Sequence, residues 1–198
     1  MTDDWANAAD GWDENPDVRH YSDLAFASWQ SELAALMPDL ATGRVLDFGC
    51  GTGLLAEKFA PLCQQVVAID PSAAMIDVLK RKIARRGFDN ITALPITVDA
   101  DNAASEPALT ARFDLIVASS VCSFLPDYEA TLQILASLLK PGGVFVQWDW
   151  ATDMPEARIR SAFDAAGLNA HLIKNMFAMG DGDEAMPVVM GVGRRGSY

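Results

Sequence analysis

The chain has 198 residues, 51% of them apolar and 21% charged, a composition that suits one soluble domain with a full core. A net charge of −12 argues against a nucleic-acid partner, because phosphate binding needs a basic stripe. Cys50, Cys63 and Cys122 lack metal-ligand spacing and neither His20 nor His171 completes a set with them, so no metal is expected.

Isolated thiols, an acidic start (Met1-Thr2-Asp3-Asp4) and the lack of a long apolar run predict a cytoplasmic protein without signal peptide or membrane insertion. Residues 1 to about 20 read as a polar arm, although Trp5 and Trp12 exceed what a solvated tail needs. A helix is expected from Ser22, with Leu24, Trp29, Leu33 and Leu36 on its apolar side, ended by Pro38 and Gly43. Residues 1–42 thus form an arm and cap helix, and 43–198 the main domain.

That domain opens on Val45-Leu46-Asp47-Phe48-Gly49-Cys50-Gly51-Thr52-Gly53: a buried strand, an acid near its end, a glycine turn, then the apolar helical face of Leu54, Leu55, Ala56 and Phe59. Strands follow at 65–69, within 91–98, at 113–118 and at 144–150. Helices follow at about 72–86, capped by Ser72 and closed by Gly87, and at 127–139 and 153–166. Lys140-Pro141-Gly142-Gly143 reads as a sharp turn. Runs at about 168–179 and 186–192 around Gly180-Asp181-Gly182-Asp183 read as a hairpin. The alternation predicts an α/β fold: a doubly wound, mostly parallel seven-stranded sheet with an antiparallel C-terminal hairpin.

In such sheets ligands bind outside the carboxyl ends of the strands. The glycine spacing alone fits a dinucleotide, whose pyrophosphate sits on the helix N-terminus. Asp47 argues against it, since a carboxylate there repels phosphate and welcomes a cation; S-adenosylmethionine carries a sulfonium and an ammonium. Asp70, at the second strand end, can accept both ribose hydroxyls under either reading.

Val45 to Gly53 resembles the first motif of the class I S-adenosylmethionine-dependent methyltransferases. The antiparallel tail also resembles that class, and Lys140-Pro141-Gly142-Gly143 is similar to the turn of its small-molecule enzymes, notably the ubiquinone and menaquinone biosynthesis group. The resemblance implies a Rossmann-like methyltransferase fold, S-adenosyl-L-methionine as cofactor and a small-molecule acceptor methylated by in-line displacement. It implies cofactor contacts from Asp47, Gly49, Gly51, Gly53 and Asp70. It adds Asp99 at the adenine amino group, the Ala100 backbone at a ring nitrogen and the Ser119 backbone at the methionine ammonium. Asp99 also reads as an ordinary turn acid. Ser119-Ser120-Val121-Cys122-Ser123-Phe124-Leu125 lacks the Asn/Asp-Pro-Pro-Tyr of amino-methylating enzymes.

An acceptor that carries a proton can need a base, and His20, Tyr21 and Asp149 are the candidates. The plain readings are that His20 is a surface or capping histidine and that Asp149 only ends a strand. The arm around His20 and Tyr21 is a candidate lid. Phe124, Met176, Phe177, Met179, Met186 and Trp150 are candidate pocket walls, and Trp148 reads as core. A nicotinamide-dependent oxidoreductase and a cofactor-binding module without turnover are the alternatives.

Overall fold

A computed structural model describes the backbone of residues 2–197, with side chains from Trp5 onward. The acidic start Met1–Asp4 lies outside the described side chains. The strands are β1 (Arg44–Phe48), β2 (Gln65–Ile69), β3 (Ile91–Leu94), β4 (Phe113–Ser119), β5 (Leu139–Trp150), β6 (Leu168–Met179) and β7 (Met186–Arg195). They form a seven-stranded sheet in the order β3-β2-β1-β4-β5-β7-β6. The chain divides into two compact units, Met1–Thr97 and Val98–Tyr198.

In the first unit β1 pairs with β2, and β2 with β3, all parallel. Its helices are α1 (Thr2–Ala8), α2 (Pro16–Glu32), α3 (Leu54–Phe59) and α4 (Ala73–Arg86). Helix α2 begins six residues before the expected Ser22. The Asn15 side chain accepts from the Asp17 N–H at 2.9 Å and Pro16 takes the first helical position, where its missing N–H costs nothing. Ser22 lies inside the helix and is buried. The side of α2 that carries Phe26 and Trp29 packs on α3, where both rings meet Phe59 edge-on with centroids 5.3 and 4.8 Å apart. Helix α4 keeps its expected ends: Ser72 Oγ accepts from Met75 N–H, and Gly87 closes it at φ 73°.

In the second unit β4 pairs parallel with β5, and β7 lies antiparallel between β5 and β6. Its helices are α5 (Ala100–Ser105), α6 (Pro107–Thr110), α7 (Tyr128–Leu138) and α8 (Glu156–Ala165). Lys140–Gly143 is a bulge inside β5: pairing jumps from Phe113 opposite Leu139 to Leu115 opposite Val144. A Cβ on Gly143 would lie 2.9 Å from Lys140 O and 3.0 Å from Phe113 O, so only glycine fits. Gly191 and Gly193 of β7 leave room for α8, whose Ile159 and Phe163 would stand 2.9 and 3.1 Å from added Cβ atoms. Trp148 is fully buried, as expected of a core residue.

Candidate active site

The glycine loop follows from β1. Once Val45 and Leu46 are buried against the parallel neighbour, the chain turns through Gly49, Gly51 and Gly53 at φ 68°, 52° and 85°. The amides of Gly49 and Cys50 both donate to Ile69 O, at 2.9 and 3.0 Å, which ties the loop to the end of β2. Asp70 completes the tie: its carboxylate accepts from Gly51 N–H at 2.9 Å and from Ser72 N–H at 2.8 Å. Burial raises its pKa and these two bonds lower it, with a net rise. Gly51 and Gly53 are glycines for different reasons. A Cβ on Gly53 would lie 2.4 Å from Leu79 Cδ1 of α4, so this glycine serves helix packing. A Cβ on Gly51 would meet nothing nearer than Trp12 Nε1 at 3.8 Å.

Asp47 is 2% exposed. Burial lifts its carboxyl to about pH 7; the Ala56 backbone N–H, at the start of α3, donates to it and offsets part of the rise, and the Asp70 charge adds to it. The helix start where a pyrophosphate would sit is therefore already served by an acid. Asp47 Oδ2 is buried with no hydrogen-bond partner. An orphaned carboxylate oxygen at a strand end calls for a donor or a cation.

The arm reaches this loop through residues that the sequence did not single out together. A 3-10 turn, Ala9–Glu14, carries Trp12 above Gly51 and Asp13 beside Thr52. Thr52 Oγ1 donates to Asp13 Oδ1 at 2.5 Å, and Lys82 Nζ donates to Asp13 Oδ2 at 2.6 Å and to Thr52 O at 3.0 Å. Lys82 is buried, with Glu57 Oε2 3.4 Å away on its other side. The excess of tryptophan in a polar stretch was the available signal; the Asp13–Lys82 pairing had none. His20 is exposed on α2 and Tyr21 is 7% exposed, buried in the first unit.

In the second unit Asp99 is exposed and caps α5, with Oδ1 accepting from Asn102 N–H at 2.8 Å. Ala100 is the first residue of α5 and Ser119 the last of β4. Asp149 is fully buried near the carboxyl end of β5. Its Oδ1 accepts from Ser123 N–H at 3.3 Å and its Oδ2 from Gln147 Nε2 at 3.0 Å, while Gln147 Oε1 accepts from Tyr128 O–H at 2.6 Å. Among the described residues no group of three or more His, Cys, Asp or Glu could hold a metal, and no helix is long and apolar enough to cross a membrane.

A family model described as "Methyltransferase domain" matches residues 46–145, just over half of the chain. The chain belongs to this methyltransferase-domain family. The matched span runs from the glycine loop through the β5 bulge. A ubiquinone biosynthesis O-methyltransferase of Bradyrhizobium sp. is 40% identical over 103 residues, 52% of this methyltransferase-domain chain and 38% of the relative. The chain spans well under half the length of the curated relatives it matches. Two solved structures share the fold. Magnesium protoporphyrin IX methyltransferase from Synechocystis, with bound SAM, has TM-score 0.69 at 18% identity, covering 90% of this chain and 80% of its own. The [4+2]-cyclase SpnF has TM-score 0.69 at 16% identity, covering 91% and 82%.

Proposed function

We propose that this methyltransferase-domain protein binds S-adenosylmethionine and transfers its methyl group to a hydroxyl of a small molecule. The observation that carries the cofactor is Asp47, a carboxylate at the α3 start with one buried oxygen unpartnered. That arrangement disfavours a pyrophosphate and suits a ligand with cationic centres. Asp70 sits where it can accept ribose hydroxyls with its remaining lone pairs, and the glycine turn lets a ligand approach the backbone closely. The cofactor supplies an electrophilic methyl on a sulfonium. The protein aligns donor and acceptor, a contribution of about 7–11 kcal/mol when the geometry is good. The hydroxyl as acceptor rests on the O-methyltransferase relatives. The arm serves as a lid through Trp12 and Asp13, which lie against the loop. The exposed His20 and buried Tyr21 are a weaker pair for that role.

Calorimetry with S-adenosylhomocysteine and, separately, NADH tests the cofactor. S-adenosylhomocysteine binds and NADH does not; the reverse overturns the reading. Asp70→Ala weakens binding by roughly 1.5–3 kcal/mol, the range for a hydrogen bond to a charged group, about tenfold or more. Gly51→Val abolishes binding while circular dichroism stays native, because a branched Cβ at φ 52° intrudes where backbone and ligand meet. Unchanged affinity in both variants removes the loop from the site. A second reading, cofactor binding without methyl transfer, has the [4+2]-cyclase of the same fold in its favour. Labelled methyl appearing in any member of a panel of phenols, catechols and alcohols rules it out.

A further inference from the structure

Asp149 has no open surface, yet it is among the most heavily engaged carboxylates in the second unit. Two consecutive backbone amides, Cys122 and Ser123, donate to it, together with the Cys122 thiol and Gln147 Nε2. Both amides belong to the turn that leaves β4. That turn is bent at its start: Ser120 has φ 52°, uncommon for a residue other than glycine, and its N–H donates to Trp148 O at 2.7 Å. Ser120 and Ser123 are thus fastened to two consecutive residues of β5, Trp148 and Asp149. Between and beyond the fastenings the turn carries two groups of interest. Ser123 Oγ is buried without a hydrogen-bond partner, and Phe124 is a large apolar side chain that is 43% exposed. Strand carboxyl ends are where ligands bind in such sheets, so this turn lies on the ligand side of β4 and β5.

We propose that Asp149 is a positioning residue: by gripping Cys122 and Ser123 it fixes the turn after β4, and with it the exposed Phe124 ring that meets the acceptor. The proposal rests on the methyltransferase reading for what the turn meets, and on geometry alone for the grip. A base must reach substrate, and Asp149 spends both oxygens on the protein. Gln147 holds the carboxylate from within its own strand and is itself held by Tyr128 of α7. A carboxylate that accepts from two successive amides in a turn behaves as an internal anion in a backbone nest.

The charged and titratable groups around it are few. Cys122 comes from the turn, Tyr128 from α7, and Arg158 from α8, with its guanidinium carbon 5.4 Å from the Tyr128 ring centroid. Glu129 of α7 lies 3.7 Å from Arg158 Nε at the rim. Burial raises the Cys122 thiol and the Tyr128 hydroxyl well above their ordinary values, so neither titrates near neutrality. Burial lifts Asp149 to about 7, so it is the group of this cluster that does.

The test is amide spectroscopy on the full chain with and without S-adenosylhomocysteine. In wild type the Ser123 amide resonance shifts with a midpoint near pH 7. In Asp149→Asn the shift disappears, while the amide remains protected from exchange because an amide oxygen still accepts. In Asp149→Leu the Cys122 and Ser123 amides exchange at least tenfold faster, while β5 amides from Val144 to Trp148 keep their protection. Asp149→Leu exchange equal to wild type overturns the proposal. Should the leucine variant not fold, Asp149→Ala read in the same way decides. S-adenosylhomocysteine binding is read on the same samples. If it fails while the Asp149→Leu amides exchange faster, the cofactor reading is lost and the grip stands.

Discussion

Asp47→Asn is expected to stabilise the ligand-free protein, and to do so much more at pH 8 than at pH 5. Asp47 has an ordinary carboxyl pKa of 3.8 when unfolded and about 7 when folded. Its folded pKa is raised, so its contribution to stability is fully present below about pH 4 and is lost as pH rises through 7. At pH 8 the folded chain carries a buried, half-unpartnered anion. The difference between the two pKa values corresponds to about 4 kcal/mol, set against a total stability of about 5–15 kcal/mol for a domain. Asp149 shifts in the same direction, also to about 7, and Asp70 shifts upward as well. Urea unfolding of wild type therefore gives a higher midpoint at pH 5 than at pH 8. Relief of self-repulsion in a chain of net charge −12 acts the same way, so the informative quantity is the difference between wild type and variant. Asp47→Asn raises stability at pH 8 by about 2–4 kcal/mol, because an asparagine oxygen still accepts from Ala56 and no charge is buried. The same variant binds S-adenosylmethionine less well, having lost the anion that faces a cationic ligand. Equal pH dependence in wild type and variant would show that Asp47 keeps an ordinary pKa.

Gly53→Ala is expected to be far more damaging than Gly51→Ala. Both positions have positive φ, which costs an alanine about 1–2 kcal/mol. At Gly51 little is added, since the nearest atom to the new Cβ is 3.8 Å away. At Gly53 the Cβ would stand 2.4 and 2.9 Å from the two methyls of Leu79. Leu79 is fully buried, so it cannot swing into solvent, and forced repacking adds about 1–3 kcal/mol. The total at Gly53 is then about 2–5 kcal/mol, enough to remove much of the stability of a domain of this size. Denaturant unfolding of both variants gives the comparison. Leu79→Ala costs less in the Gly53→Ala background than in wild type, because there it also relieves the clash. Two alanine variants of equal stability would mean that backbone strain alone explains the glycines.

The strand frame was legible because burial dictates it. Val45-Leu46, Val66-Val67 and Leu115 to Val117 are apolar runs without a polar face, the mark of strands covered on both sides. The helix ends at Ser72 and Gly87 follow from local side-chain and backbone chemistry and appear where expected. The start of α2 was misplaced, because Asn15-Pro16 and Ser22 both resemble starts and only packing chooses between them. Two short helices fill 100–110, a stretch to which the sequence reading assigned no element. Of the site, Asp47, Asp70 and the glycines were legible from their spacing. The roles that separate Gly51 from Gly53 were not, since they depend on Leu79, a residue of another helix. The hold of Asp13 on Lys82 joins positions 69 apart, and the ring of donors around Asp149 gathers residues from β5 and the turn after β4. No local pattern encodes either.

The place of β7 bears on how the protein is made. The strand that leaves the ribosome last among the described ones lies between β5 and β6, which do not pair with each other. Until Met186–Arg195 arrives, β6 has been synthesised with nothing to bond to, and Ile159 and Phe163 of α8 lack the glycine-lined surface they rest on. At about 5–20 residues per second the nascent chain spends only a second or two in that state. A stop codon before residue 186 would prolong it indefinitely, costing the sheet two strands and exposing the apolar side of α8 to chaperones and proteases. Protease resistance of the second unit in a chain ending at residue 185 and in the full 198-residue chain measures this, and equal resistance would mean that β6 and α8 hold without β7.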